Sequence, residues 1–71
     1  MTYKAIIEGK GKSWGAYVPD LPICFAVASS RKRVEELIRG AVEAHIDFLR
    51  ECGEPVPLPT TIDGTIDVTA A

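Results

Sequence analysis

The sequence lacks the residue combinations that disulfide frameworks, zinc sites and membrane spans require. Its two cysteines, Cys24 and Cys52, lie far apart, no CxxC pair is present, and His45 is the only histidine. This spacing indicates neither a disulfide framework nor a zinc site. No apolar run approaches the ~20 residues that span a bilayer, and the N-terminus has no secretory signal pattern. We therefore expect a cytoplasmic protein with no cofactor, no bound metal and no membrane contact.

Positive charge is absent from one part of the chain. The formal net charge is −2, all eight lysines and arginines lie within residues 1–50, and residues 51–71 carry acids alone. A duplex-binding domain would have a strongly basic face instead. We therefore expect this chain to bind no DNA by itself.

The chain is short for a stable fold. Its 71 residues predict a single domain over residues 1–71. A domain of this size buries only ~60% of the surface that its unfolded form exposes. Without disulfides or a metal, oligomerisation is the usual further source of stability. We expect a homo-oligomer, either a dimer or a tetramer.

Three strands are predicted in the first half of the sequence. Tyr3–Glu8 alternates in the manner of a strand, Trp14–Val18 places Tyr17 opposite its other apolar residues, and Ile23–Ala28 is rich in β-branched and aromatic side chains. Pro19-Asp20-Leu21-Pro22 joins the second strand to the third. Because proline fixes its own φ and restricts the preceding residue, this proline corner is stiff. It either holds the two strands in register or presents Asp20-Leu21 to a partner as a rigid knob.

One long helix and a fourth strand follow. Ser29-Ser30 offers an N-cap, apolar residues recur with helical spacing from Val34, and Gly53 is a typical C′ residue. Pro55–Pro59 predicts an extended, non-helical segment, and Thr65–Val68 predicts a short strand. The element order β-β-β-α-β indicates an α+β fold, in which an antiparallel sheet carries one long helix on one face.

The predicted helix is too long for the predicted sheet. About 22 helical residues measure ~33 Å, whereas strands of five or six residues measure only ~18 Å. The second half of the helix should therefore overhang the sheet. We expect Phe48 and Leu49 in this overhang to be covered either by Pro55–Pro59 or by another subunit.

A single helix also leaves one face of the sheet uncovered. Exposed apolar area of that kind usually marks an interaction surface. This face should contain Ile6, Tyr17 and one of two alternative pairs from the third strand, Phe25 with Val27 or Cys24 with Ala26.

No set of side chains in the sequence forms an evident catalytic constellation. His45 falls on the apolar stripe of the helix, and no neighbouring acid on that stripe would pair with it. Glu8 and Asp20 could approach each other and bind a divalent metal, as in nucleases of the RNase H class. That chemistry needs at least a third carboxylate. We therefore predict that the chain is not an enzyme, with a metal-dependent nuclease as an alternative.

Arg31-Lys32-Arg33 is an unusual opening for a helix. The helix dipole disfavours positive charge in the first turn, and the two preceding serines could face an anion. Contact with RNA phosphate is therefore an alternative function. A solvated run of charges is the other interpretation, and no interleaved aromatic residues support stacking on single strands.

These elements together resemble the HicB family of antitoxins. The resemblance covers essentially the whole chain. It is carried by the PDLP corner with Cys24 two residues later, the preceding strand WGAYV, the capped helix, and Gly53-Glu54-Pro55-Val56-Pro57 after the helix. The helix residues that fit the family are Glu36, Ile38, Arg39, Ala41, Val42, Glu43 and His45.

The resemblance implies a partial RNase H-like sheet without catalytic acids. It also implies that the protein neutralises a HicA-type toxin, a small basic mRNA interferase, through protein–protein contact. Longer relatives append a DNA-binding segment, and none is expected in residues 1–71. An orphan domain without a toxin is a further alternative. The predicted partner-binding residues are Trp14, Tyr17, Asp20, Leu21, Pro22, Phe48 and Leu49.

Overall fold

The computed structural model describes residues 2–69 and has the predicted order of elements. The four strands and the single helix among these residues are β1 (Thr2–Lys10), β2 (Ser13–Val18), β3 (Leu21–Ala28), α1 (Arg31–Cys52) and β4 (Ile66–Thr69). β1 and β3 are longer than expected, because β1 continues to Lys10 and β3 begins within the proline corner. No helix in this part of the chain is long and apolar enough to cross a membrane.

The strands form one antiparallel sheet in the order β3-β2-β1-β4. β1 pairs with β2, β2 pairs with β3, and β4 pairs with the other side of β1. The close approach of β1 to β2 requires glycine at position 9, opposite Trp14. A Cβ on Gly9 would lie 2.4 Å from the main-chain oxygen of Ser13 and 2.8 Å from the indole of Trp14.

The core lies between α1 and one face of the sheet. Each strand contributes alternate residues to it, as the two-residue period of a strand requires. Tyr3 is fully buried in β1 and Val68 almost fully in β4. The buried set is Tyr3, Ala5, Ile7, Ala16, Val18, Leu21, Cys24, Val34, Ile38, Val42, Ile46 and Val68.

The caps of α1 agree with the prediction. The Ser30 side chain accepts a hydrogen bond from the Arg33 amide at 3.2 Å. At the other end, Gly53 has a left-handed φ of 71°, and its amide contacts the carbonyls of Arg50 and Leu49. Glycine suits this position because it has no Cβ to clash in the left-handed region.

The buried side of α1 stops short of its C-terminus. Its four buried residues recur at every fourth position, from Val34 to Ile46. That distance corresponds to ~18 Å of helix, about the length of a short strand. The overhang is therefore the last turn and a half after Ile46, which is shorter than the predicted half of the helix.

The C-terminal segment, residues 53–65, folds back under this overhang. Leu49 and Val56 are partly buried against the core. The Tyr3 hydroxyl, at the end of the core, donates a hydrogen bond to the main-chain oxygen of Pro57. Of the two residues predicted to lie in the overhang, Leu49 is therefore partly buried against the core, whereas Phe48 remains 57% exposed.

Candidate partner-binding surface

The face of the sheet that points away from α1 is apolar and open. We call it the outer face. Phe25 and Val27 are 68% and 75% exposed, which decides between the two alternative pairs in β3. Ile6, Tyr17 and Phe25 lie opposite one another on three neighbouring strands and form a continuous apolar row. The outer face consists of Ile6, Tyr17, Ile23, Phe25 and Val27.

A groove crosses the outer face beside this row. Gly15 forms its floor, because it lies between Glu8 on β1 and Val27 on β3 and has no side chain to fill the space. Tyr17 and Phe25 form one wall. Glu8 is exposed at the rim. The groove therefore combines apolar walls with one negative charge, which suits a side chain that is long, partly apolar and basic.

The proline corner is attached to the C-terminal segment through Asp20. Its carboxylate accepts hydrogen bonds from the amides of Thr60 and Thr61, both at 3.0 Å, and from their hydroxyls at 2.7 and 3.0 Å. These bonds, led by the one from the Thr61 amide, hold the pKa of Asp20 below its ordinary value. Burial raises the pKa of the nearby Tyr3 phenol, and the negative charge of Asp20 adds to that effect.

The prediction that Leu21 forms part of an exposed knob at the proline corner is wrong. This side chain is only 1% exposed and belongs to the core. A β-bulge is responsible. Tyr17 of β2 pairs with Phe25 of β3, but the next residue, Val18, pairs with Leu21. The residues between Leu21 and Phe25 interrupt the side-chain alternation of β3, so Leu21 and Cys24 both point inward. Pro22, by contrast, is exposed.

The remaining predicted contact residues do not lie on one surface. Tyr17 is on the outer face and 43% exposed. Trp14 packs against the core on the helix side of the sheet, and its indole nitrogen donates to the Gly11 oxygen at 2.9 Å. Phe48 and Leu49 lie in the helix overhang. These four residues therefore lie in three separate places, apart from Asp20, Leu21 and Pro22 at the corner.

The basic first turn of α1 is balanced by acids one turn further on. Arg31 contacts Glu35 and Arg33 contacts Glu36, each at 3.2 Å. Spacings of three and four residues place such pairs on the same side of a helix. Lys32 forms no ion pair within residues 2–69. Two of the three cations thus already form ion pairs within the helix. The basic run can therefore be explained without contact with a nucleic acid.

Other reactive side chains lie apart from one another. Glu8 is on the outer face, whereas Asp20 is occupied by Thr60 and Thr61. Among residues 2–69, no three His, Cys, Asp or Glu side chains are placed to share a metal ion. Burial raises the pKa of the Cys24 thiol, and Cys52 is an exposed free cysteine.

The family assignment follows from a match between the sequence and the model of a known family. Residues 3–70 match the model of the HicB-like antitoxin of bacterial toxin–antitoxin systems. This chain belongs to the HicB-like antitoxin family. The match spans every element, from β1 through β4. A toxin–antitoxin role is therefore the function class of this HicB-like chain.

A solved structure shows the same fold. The chain is similar to the N-terminal domain of the antitoxin HicB from Burkholderia pseudomallei, with a TM-score of 0.77 and 24% sequence identity. The match covers 87% of this chain and 74% of that chain. It shows the fold, a four-stranded antiparallel sheet with one helix in the order β-β-β-α-β. The curated proteins contain no match.

The outer-face residues of β3 were missing from the predicted contact set. The sequence left two alternatives for that strand, and the choice between them depends on the bulge after Leu21. Pro22 was the available signal, because proline in a strand is confined to edges, first residues and bulges. A bulge at Pro22 would have placed Phe25 and Val27 outward.

Proposed function

We propose that this HicB-like chain neutralises a HicA-type mRNA interferase through protein–protein contact, as a non-catalytic homo-oligomer. The single observation that supports the proposal best is the apolar outer face, where Phe25 and Val27 are more than two-thirds exposed. A soluble domain rarely leaves contiguous apolar area of this kind open unless another chain covers it.

The chemistry of the outer face suits the expected partner. Tyr17 and Phe25 supply the aromatic area that is enriched at protein interfaces. Glu8 at the rim of the Gly15 groove offers a negative charge, and a basic toxin surface would complement it. The toxin would be blocked by coverage of its surface, so no catalytic group of the antitoxin is required.

Tyr17 is the best position for a test. It lies on the central strand β2, its side chain points away from the core, and it is 43% exposed. Tyr17→Lys removes aromatic contact area from the middle of the face and adds a charge of the same sign as the toxin. We expect this variant to fold and to lose toxin binding.

The experiment is coexpression with a HicA-type toxin, followed by affinity purification of the toxin. The wild-type chain should restore growth and copurify with the toxin, and Tyr17→Lys should do neither. Ile62→Lys is the matched control, because Ile62 is 84% exposed but lies in the C-terminal segment. Copurification of Tyr17→Lys at the wild-type level would contradict the proposed surface.

A further inference from the structure

The two edges of the sheet are protected to different degrees. An unpaired strand edge is a template for another strand, and proteins usually blunt it with short length, charge, proline or a bulge. β4, at one edge, has only four residues and carries Asp67, which forms an ion pair with Lys4. Arg39 from α1 also donates to the main-chain oxygen of Asp67 at 3.1 Å. The β4 edge is therefore short and charged, and one of its main-chain oxygens already accepts a hydrogen bond.

β3, at the opposite edge, lacks most of these protections. It has eight residues and no charged side chain. Pro22 and the bulge protect its first half only, because regular pairing with β2 resumes at Phe25 and continues to Ala28. Within residues 2–69, no side chain outside β3 forms a hydrogen bond with the main chain of Phe25–Ala28. The second half of β3 is thus an open strand edge.

We propose that β3 is the interface between two copies of this chain, which pair antiparallel along Cys24–Ala28 about a two-fold axis at Ala26. This inference rests on the oligomeric part of the proposed function and adds the surface and the symmetry. In this register, Phe25 of each copy lies opposite Val27 of the other on the outer face. An aromatic residue opposite a β-branched one is among the favourable cross-strand pairs.

Charge at the ends of β3 selects a second copy in antiparallel orientation. Asp20 precedes the strand, and Lys32 follows it in the first turn of α1, where Arg31 and Arg33 already form ion pairs with Glu35 and Glu36. Antiparallel pairing brings Lys32 of one copy to the end of the strand where its partner has Asp20, twice in each dimer. Parallel pairing would place the two Lys32 side chains at the same end. Charge therefore favours the antiparallel orientation.

Edge pairing leaves the outer face open to the toxin. The two sheets would join into one of eight strands, and the apolar rows of both copies would then be continuous. Dimerisation and toxin binding use different parts of β3, its main-chain edge and its side-chain face. The two proposals can therefore fail independently.

The test is the molar mass of the purified chain alone, measured by light scattering after size exclusion over a range of concentrations. We expect the wild type to have twice the monomer mass of 7.7 kDa. Phe25→Lys with Val27→Lys places like charges opposite each other across the axis and should give a monomer. Phe25→Glu with Val27→Lys places opposite charges there and should restore the dimer. A monomeric wild type, or a dimer of the double-lysine variant, would overturn the proposal.

Cross-linking provides a measurement that does not depend on loss of assembly. Phe25→Cys with Val27→Cys, in a Cys52→Ser background, should form a disulfide-linked dimer on mild oxidation, because the paired positions face each other across the axis. Asp67→Cys with Thr69→Cys is the matched control on the β4 edge and should stay monomeric under denaturing conditions. Equal cross-linking at both edges would contradict pairing through β3. The toxin is absent from both experiments, so their failure would leave the toxin proposal standing.

Discussion

The Asp20 carboxylate accepts four hydrogen bonds from Thr60 and Thr61, which follow it by 40 and 41 positions in the chain. These bonds attach the C-terminal segment to the proline corner. The acid therefore explains why the corner and this segment keep a fixed relative position. A carboxylate that accepts main-chain hydrogen bonds is stabilised in its charged form.

This arrangement predicts a specific dependence of stability on pH. The folded-state pKa of Asp20 is lowered, chiefly by the Thr61 amide, so the unfolded chain binds the proton more readily. The stabilisation is fully present above the unfolded pKa of about 4 and is lost as the pH falls through the lower folded pKa. We expect Asp20→Asn to have a lower melting temperature at pH 7 and a flatter decline towards pH 2.

Thermal unfolding monitored by circular dichroism between pH 2 and pH 7 would check this expectation. Asp63→Asn is the control, since Asp63 is an exposed acid that forms no hydrogen bond within residues 2–69. Its melting curve should follow the wild type. A wild type and an Asp20→Asn variant with parallel pH profiles would show that the four hydrogen bonds contribute nothing measurable to stability.

Sequence reasoning found the proline corner but not the direction of its side chains. The local restrictions of proline indicated a stiff link between two strands, and in the structure Pro19 and Asp20 form the turn between β2 and β3. Burial of Leu21 depends instead on the bulge, and the bonds of Asp20 depend on contact with residues 40 positions away. Neither feature leaves a periodic pattern in the sequence: the bulge has only Pro22 as a local signal, and the Asp20 bonds are made across the fold.

At the scale of elements, α1 could be predicted almost completely. Its N-cap, its C′ glycine and its apolar stripe are all local signals, and the helix ends where they indicate. The sheet also followed from alternation, although β1 extends beyond the prediction at both ends and β3 begins two residues earlier. The length comparison correctly indicated an overhang, although the buried stripe reaches further along the helix than half its length.

Two substitutions on α1 should have opposite effects on stability. Gly40 is exposed, and a Cβ at this position would meet no atom within 4 Å. Gly40→Ala should therefore stabilise the protein by about 1 kcal/mol, the difference in helix propensity. Ile38 is fully buried on the opposite side. Ile38→Ala should destabilise it by about 2–5 kcal/mol through lost burial and a cavity.

Urea unfolding would give both free energies on the same scale. Equal slopes of the unfolding curves would indicate that the change lies in stability rather than in the extent of unfolding. A destabilising Gly40→Ala would contradict the described exposure of that helix face. An Ile38→Ala variant as stable as the wild type would contradict the packing of the core.

At the scale of the whole molecule, the two faces of the sheet differ in how far they are covered. The core occupies one side of the sheet, where α1 and the C-terminal segment cover it. The outer face contributes little to that core, so its large side chains need another explanation. In a HicB-like antitoxin, contact with a partner chain supplies one.

The predicted contact residues could be only partly placed on the molecular surface from the sequence. Tyr17 was placed on the open face because alternation in β2 fixes its direction. Trp14 was included as well, although the same alternation directs it away from Tyr17, and the structure packs it on the helix side. Which residues share one surface depends on how the elements pack together. That packing involves the bulge and the C-terminal segment.

The most direct test of the toxin-binding face is an NMR titration of the isotopically labelled chain with an inactive variant of the toxin. The account predicts the largest shift changes at the outer-face row, Ile6, Tyr17 and Phe25, with small changes along the exposed side of α1. Large changes confined to the exposed side of α1, around Gly40 and Ala44, with the row unaffected, would contradict it.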